Sequence, residues 1–141
     1  MGTHVAMSPL VLLLDEDNEF RYAVSRFLTR EGFDVIALSS SIVALDVLDR
    51  FPVDALLVDI QQAPGQPHGF LFSRMAKRKR PELPCVFMSA YPRLGEDRVS
   101  WPDKLLQKPI DLLSLSAEIR ALVMPDGVLR RAAIRPVRQV G

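Results

Sequence analysis

Three acidic side chains, Asp15, Glu16 and Asp17, come directly after the apolar run LVLLL at residues 10–14. An unbroken apolar run of this length is typical of a strand that is covered on both faces of a sheet. Neighbouring like charges repel one another, so the simplest interpretation is that the chain enters water here. The alternative is chemistry, because carboxylate oxygens bind hard cations such as Mg²⁺, and such a cation can hold a phosphoryl group.

Three further polar side chains stand at the ends of later apolar runs. Asp59 ends VDALLVD, Ser89 follows LPCVFM and Lys108 follows KLLQ. If these runs are parallel strands, their carboxyl ends lie at one edge of the sheet, where open α/β sheets place their sites. Each side chain taken alone is most simply a surface residue. Acids, a hydroxyl and an ammonium at one edge together indicate a cation or phosphoryl site.

The segments between these runs have apolar residues at helical spacing. The pattern predicts strands at residues 10–14, 33–38, 53–59, 83–88 and 104–107, and helices at 17–30, after the serines at 39–41, at 70–80 and from Asp111 to Pro125. Such alternation predicts a flavodoxin-like (βα)5 three-layer sandwich, whose five-stranded parallel sheet has the order 2-1-3-4-5. Two prolines and a glycine interrupt residues 91–103, so the fourth helix is expected to be short or irregular.

Composition predicts one soluble, cytoplasmic domain. The chain has 141 residues, 48% of them hydrophobic. Its net charge of +1 is too small to attract nucleic acid or an anionic membrane. No apolar stretch approaches the roughly 18–20 residues of a membrane span. Cys85 lies in an apolar run and is expected to fill core space. We expect an N-terminal extension or expression remnant at 1–8, a domain at 9–124 and a basic tail at 125–141.

Four motifs carry a resemblance to a known family: LLLDED (12–17), ALLVDI (55–60), VFMSA (86–90) and LLQKP (105–109). In this order and spacing the chain resembles the receiver domain of two-component response regulators, over roughly residues 9–124. The resemblance implies a phosphoprotein that takes a phosphoryl group from a histidine kinase or histidine phosphotransfer protein and signals by protein contacts. It implies no enzyme, beyond autophosphorylation from small phosphodonors and autodephosphorylation.

The same resemblance assigns the acidic residues. Asp59 would be the phosphoacceptor. Asp15 and Glu16, together with Asp59 and the backbone carbonyl of Gln61, would hold Mg²⁺ or Mn²⁺. Asp17 has no such role by this resemblance and is expected to cap the first helix.

The resemblance also assigns the residues after the fourth and fifth strands. Ser89 and Ala90 would contact the phosphoryl group and switch with it. Lys108 would pair with Asp59 before transfer and with the phosphoryl group afterwards, and the bond to Pro109 would be cis. Leu105 occupies the position of the family's switch aromatic, where it cannot swing out as a hydrogen-bonding tyrosine would.

Two segments depart from the family pattern. The loop QQAPGQPHG after Asp59 is longer than usual, and the stretch from Ser89 to Lys108 is shorter. Trp101 or Tyr91 could replace the switch aromatic, although we expect both to be packing residues. The chemistry is therefore expected to be retained, whereas the form of the output signal stays open.

Two other functions remain open at this point. The chain could be a receiver-like binding or dimerisation module that needs no phosphorylation. It could, more remotely, be a haloacid dehalogenase-like phosphatase, since Asp15 and Asp17 form a D-x-D pair, although the later acidic pair of that family is missing. The basic runs at 77–80 and 125–141 do not suffice for a nucleic-acid partner, and a homodimer stays open.

Overall fold

The computed structural model describes residues 8–62, 65 and 68–129. Most of the expected N-terminal extension (1–7) and of the basic tail (130–141) lies outside these residues. Within the described part, the strands are β1 (Leu10–Leu14), β2 (Asp34–Leu38), β3 (Ala55–Asp59), β4 (Cys85–Ser89) and β5 (Lys104–Gln107). All pairings are parallel and the order is β2-β1-β3-β4-β5, so the predicted sheet is confirmed.

Helices cover both faces of this sheet, and they are α1 (Asn18–Arg30), α2 (Ser41–Arg50), α3 (Gly69–Lys79) and α4 (Leu112–Val123). The two faces of β1 show why: Leu12 and Leu14 pack with α2 and α3, whereas Val11 and Leu13 pack with α1 and α4. Because successive strand residues point to opposite faces, an unbroken apolar strand requires cover on both. None of the helices in the described part of the chain has the length and apolar character needed to span a bilayer.

Helix caps fix where the helices begin beside the carboxyl edge. The Oδ1 atom of Asp17 accepts hydrogen bonds from the backbone N–H groups of Glu19 and Phe20, so the predicted cap of α1 is confirmed. Helix α3 begins one residue earlier than predicted, at Gly69, because Nδ1 of His68 accepts from the N–H of Leu71 and caps it. A haloacid dehalogenase-like phosphatase would need Asp17 in its active site. In this structure the carboxylate of Asp17 caps α1 instead.

The segment between β4 and β5 lacks a full helix, as predicted. It forms two single 3₁₀ turns, at Pro92–Leu94 and Glu96–Arg98. A Cβ at Gly95 would lie 2.6 Å from the ring of Phe70, so this segment packs directly on α3. Tyr91 and Trp101 are 60% and 88% exposed, so the expectation that both are packing residues was wrong.

Candidate functional site

The carboxyl edge of the sheet brings together three side chains that are far apart in sequence. The Lys108 Nζ atom, just beyond β5, donates hydrogen bonds to Oδ2 of Asp15 at 2.9 Å and to Oδ2 of Asp59 at 3.0 Å. Asp15 follows β1 and Asp59 ends β3, and these two strands are neighbours in the sheet. The lysine ammonium is therefore the cation between two carboxylates that would otherwise repel each other.

The second oxygen of each carboxylate is held by its own turn. The Oδ1 atom of Asp15 accepts from the N–H of Asp17 at 2.9 Å, and Oδ1 of Asp59 accepts from the N–H of Gln61 at 3.1 Å. Asp15 is fully buried and Asp59 is 8% exposed. Buried carboxylates need such partners, because burying a charge without them costs several kcal/mol. The site is thus preformed, with both acids fixed in orientation.

Electrostatics at this site favour a charged lysine. Burial raises the pKa of Asp59 above its ordinary value, Lys108 opposes this rise, and the nearby Asp15 adds to it. Burial alone would lower the pKa of Lys108, but its hydrogen bonds to Asp15 and Asp59 outweigh burial, so the net pKa lies above the ordinary value. Lys108 is therefore an ammonium at neutral pH, and it supports the ionised form of Asp59.

The residues expected to contact a phosphoryl group occupy the neighbouring strand ends. Ser89 is buried at the end of β4, where its Oγ accepts from the N–H of Tyr91 at 2.9 Å, while its carbonyl accepts from the N–H of Lys108. Ala90 is exposed beside it, and the Lys108-Pro109 bond is cis. Because Ser89 Oγ accepts this bond, its own O–H proton is available to another acceptor.

The acidic residues suit a hydrated cation better than a fully protein-ligated one. Glu16 is exposed, in contrast to its buried neighbour Asp15. Within the described residues, no group of three Asp, Glu, His or Cys side chains could hold a metal ion. Mg²⁺, however, keeps several waters and needs only one or two carboxylates. The neighbouring carboxylates of Asp15 and Asp59 meet this requirement, whereas the role expected for Glu16 has no contact to support it.

Leu105, at the position of the family's switch aromatic, is half-buried in β5 and packs against the core on the side of α2 and α3. It faces the same cluster as Phe70 and Phe87, whose ring centroids lie 4.8 Å apart. Arg98 lies over the Phe70 ring at 5.7 Å. A side chain at position 105 therefore packs against the cluster that contains Phe70 and Phe87.

Sequence reasoning missed three contacts of the site. The ring of Phe20 lies beneath Lys108, with 4.4 Å between Nζ and the ring centroid. Gln62 Nε2 donates to the backbone carbonyl of Asp59 at 2.6 Å. Gly69 approaches that same carbonyl so closely that a Cβ would lie 2.6 Å from the oxygen. The apolar stripe of α1 does place Phe20 toward the sheet, but periodicity cannot show that a cation reaches it.

Known proteins resemble the chain in sequence. A family model described as the response regulator receiver domain matches residues 11–120. The heme response regulator HssR of Staphylococcus saprophyticus is 27% identical over 115 residues, which are 79% of this chain and 50% of that protein. The response regulator MprA of Mycobacterium bovis is 29% identical over 136 residues, which are 92% of this chain and 58% of that protein. The chain spans about half the length of these two relatives.

Solved structures agree in fold. A response regulator receiver protein from Sinorhizobium medicae WSM419 superposes with a TM-score of 0.73 at 26% identity, covering 82% of this chain and 94% of that one. A response regulator protein from Burkholderia pseudomallei, solved with a phosphorylated aspartic acid, a calcium ion and citrate, has a TM-score of 0.67 at 19% identity. That superposition covers 79% of this chain and 66% of the other, and it shows the fold alone. With the family model matching most of its length, the chain belongs to the receiver domain family of two-component response regulators.

Proposed function

We propose that Asp59 is the phosphoacceptor of this receiver domain and that the phosphoryl group comes from a phosphohistidine on a histidine kinase or phosphotransfer protein. The observation that carries the proposal is the ammonium of Lys108, bonded to both Asp15 and Asp59 at the carboxyl edge. An isolated surface acid would have no such partner. A preorganised cation beside a nucleophilic carboxylate is what phosphoryl transfer requires.

The transfer step needs no proton from Asp59. A carboxylate oxygen attacks phosphorus, and the new O–P bond forms as the P–N bond to the donor imidazole breaks. The electron pair of that bond stays on the imidazole nitrogen, which then takes a proton. Lys108, bonded to Oδ2 of Asp59, lies next to the position where the phosphoryl oxygens would arrive. The free O–H of Ser89 would donate to one of these oxygens.

A divalent cation belongs to this proposal. Asp15, Asp59 and the backbone carbonyl of Gln61 would hold Mg²⁺ or Mn²⁺, with Glu16 at the exposed rim. When bound, the cation neutralises charge on the phosphoryl oxygens and the nucleophile. The residues of the chain do the rest: Gln61 orients Oδ1 of Asp59 through its N–H, and burial keeps bulk water away from the carboxylate.

The proposal is tested with acetyl phosphate and Mg²⁺ as a small phosphodonor, followed by intact-protein mass. The unchanged chain and Asp17→Asn should both gain the mass of one phosphoryl group, because Asp17 only caps α1. Asp59→Asn should gain none. Equal loss in both variants would contradict the division of roles between the acids. Steady turnover of p-nitrophenyl phosphate that survives Asp59→Asn would instead favour a phosphatase.

A further inference from the structure

We infer that Phe20 is a positioning residue of the phosphorylation site: the face of its ring holds the Lys108 ammonium beside Asp15 and Asp59. The inference rests on the proposed function, because it concerns the lysine that would serve the phosphoryl group. Three contacts define the place of Nζ: Asp15 Oδ2 at 2.9 Å, Asp59 Oδ2 at 3.0 Å and the Phe20 ring centroid at 4.4 Å. We call these three partners the lysine seat.

The distance and the burial both suit a cation–π contact. An ammonium within about 6 Å of a ring centroid is attracted by the negative face of the ring, and more strongly where water is excluded. Lys108 is only 23% exposed in its side chain, and Phe20 is half-buried. A primary ammonium has three N–H donors. Two of them donate to the carboxylates. The Phe20 ring lies within reach of the positive charge of the ammonium group.

The ring matters most after transfer. Phosphorylation turns the ionised carboxylate of Asp59 into an acyl phosphate, so Lys108 must give up a carboxylate partner and take a phosphoryl oxygen. Asp15 and the ring are the two partners that need not change. Phe20 therefore keeps the ammonium within reach of the new group while one hydrogen bond is exchanged for another. An aliphatic side chain of similar volume would fill the space without attracting the charge.

Helix α1 offers a matched control. Phe27 lies two turns after Phe20, and both are half-buried against the same core cluster. The cation found over Phe20 is Lys108. A change to the ring at position 27 is therefore made in similar surroundings but leaves the lysine seat unaltered.

The first arm of the test is NMR at fixed pH, without phosphodonor. A ring face shifts the ε-methylene protons of Lys108 upfield. In Phe20→Leu these signals should move toward those of a solvent-exposed lysine, in Phe20→Tyr they should stay, and in Phe27→Leu they should stay. Signals that do not move in Phe20→Leu would overturn the inference, whatever the phosphorylation chemistry turns out to be.

The second arm replaces Phe20 site-specifically by phenylalanines carrying one, two and three ring fluorines, which weaken the negative face but keep the shape. The affinity for beryllofluoride with Mg²⁺, a stand-in for the phosphoryl group on Asp59, is measured by NMR titration. The logarithm of Kd should rise steadily with fluorination, by about fivefold in Kd at three fluorines. The same series at Phe27 should be flat, as should the series at Phe20 in a Lys108→Ala background. Equal slopes at positions 20 and 27 would overturn the inference.

The two arms separate failure of the inference from failure of the proposed function. If the unchanged chain binds no beryllofluoride and gains no phosphoryl mass, the proposed function fails. The NMR arm alone then tests whether the Phe20 ring lies over Lys108. If the unchanged chain binds beryllofluoride but fluorination at Phe20 has no effect, the function stands and the inference fails.

Discussion

Gly69 lies so close to the backbone carbonyl of Asp59 that a Cβ on the glycine would sit 2.6 Å from the oxygen. The same Cβ would lie 2.7 Å from the Cα of Ile60, and the N–H of Gly69 donates to the Ile60 carbonyl at 2.8 Å. The first residue of α3 thus abuts the end of β3 through backbone alone. A displacement of the end of β3 at Asp59 would therefore push directly against the backbone of α3.

Gly69→Ala should therefore destabilise the domain by about 1–3 kcal/mol, as overpacking against rigid backbone does. The sign is informative, because alanine in place of glycine in a helix is ordinarily stabilising by about 0.5–1 kcal/mol. Urea unfolding measures the free energy, with Leu71→Ala, an exposed position in the same turn, as control. A stabilised Gly69→Ala would show that α3 does not press on Asp59.

Gly95 and Phe70 form a second close contact, between a 3₁₀ turn and α3. Gly95→Ala should cost about 1–3 kcal/mol because its Cβ would meet the buried ring at 2.6 Å. Phe70→Leu removes ring atoms, so the alanine should cost less in that background. A double-mutant cycle by urea unfolding tests this coupling. Strictly additive costs would show that the ring does not set the position of the turn.

Lys108 separates two buried carboxylates, and its loss should be felt as uncompensated charge. Lys108→Met keeps an unbranched chain but no ammonium, and should lower the free energy of unfolding at pH 7 by roughly 3 kcal/mol. The second change Asp59→Asn should recover part of this loss, because it leaves a single buried carboxylate. Urea unfolding of the two variants measures both effects. No recovery in the double variant would mean that charge repulsion is not the cause.

The pKa of Asp59 makes a prediction about pH. The pKa of Asp59 is raised in the folded state. The contribution of this carboxyl group to stability is therefore present below the ordinary pKa of 3.8, and it is lost as the pH rises through the folded-state pKa. Asp59→Asn should thus gain stability relative to the unchanged chain at neutral pH, and the gain should shrink as the pH falls from the raised folded-state pKa to 3.8 and be absent below 3.8. Unfolding curves across this range, with exposed Asp46→Asn as control, would refute this if the gain grew toward low pH.

Much of the fold could be predicted because the central strands have a clear sequence pattern. β1, β3 and β4 are unbroken apolar runs, and each leads directly to a polar residue at the carboxyl edge. The alternation with helices predicts a parallel sheet, and the flavodoxin-like order 2-1-3-4-5 then places Asp15 and Asp59 at the ends of neighbouring strands. The prolines and the glycine between β4 and β5 were sufficient to predict that no full helix forms there.

The remainder depends on contacts that a linear pattern does not encode. The bond from Lys108 to Asp15 was not foreseen, because the resemblance pairs Lys108 with Asp59 and assigns Asp15 to a metal ion. His68 as cap of α3 was missed within a loop rich in proline and glycine. The exposure of Trp101 was missed because composition alone favours burying a large apolar ring. Phe20 falls in the apolar stripe of α1, and only the fold brings residue 108 to its ring.

Direct location of the phosphoryl group would be the most decisive measurement. Acyl phosphates are reduced by borohydride, which converts the aspartate that carried the group into homoserine. After treatment with acetyl phosphate and Mg²⁺, then borohydride, peptide mass mapping should find homoserine at position 59 and unchanged aspartate at 15 and 17. Homoserine at Asp15 or Asp17, or its absence from every aspartate of a folded sample, would contradict the assignment of Asp59.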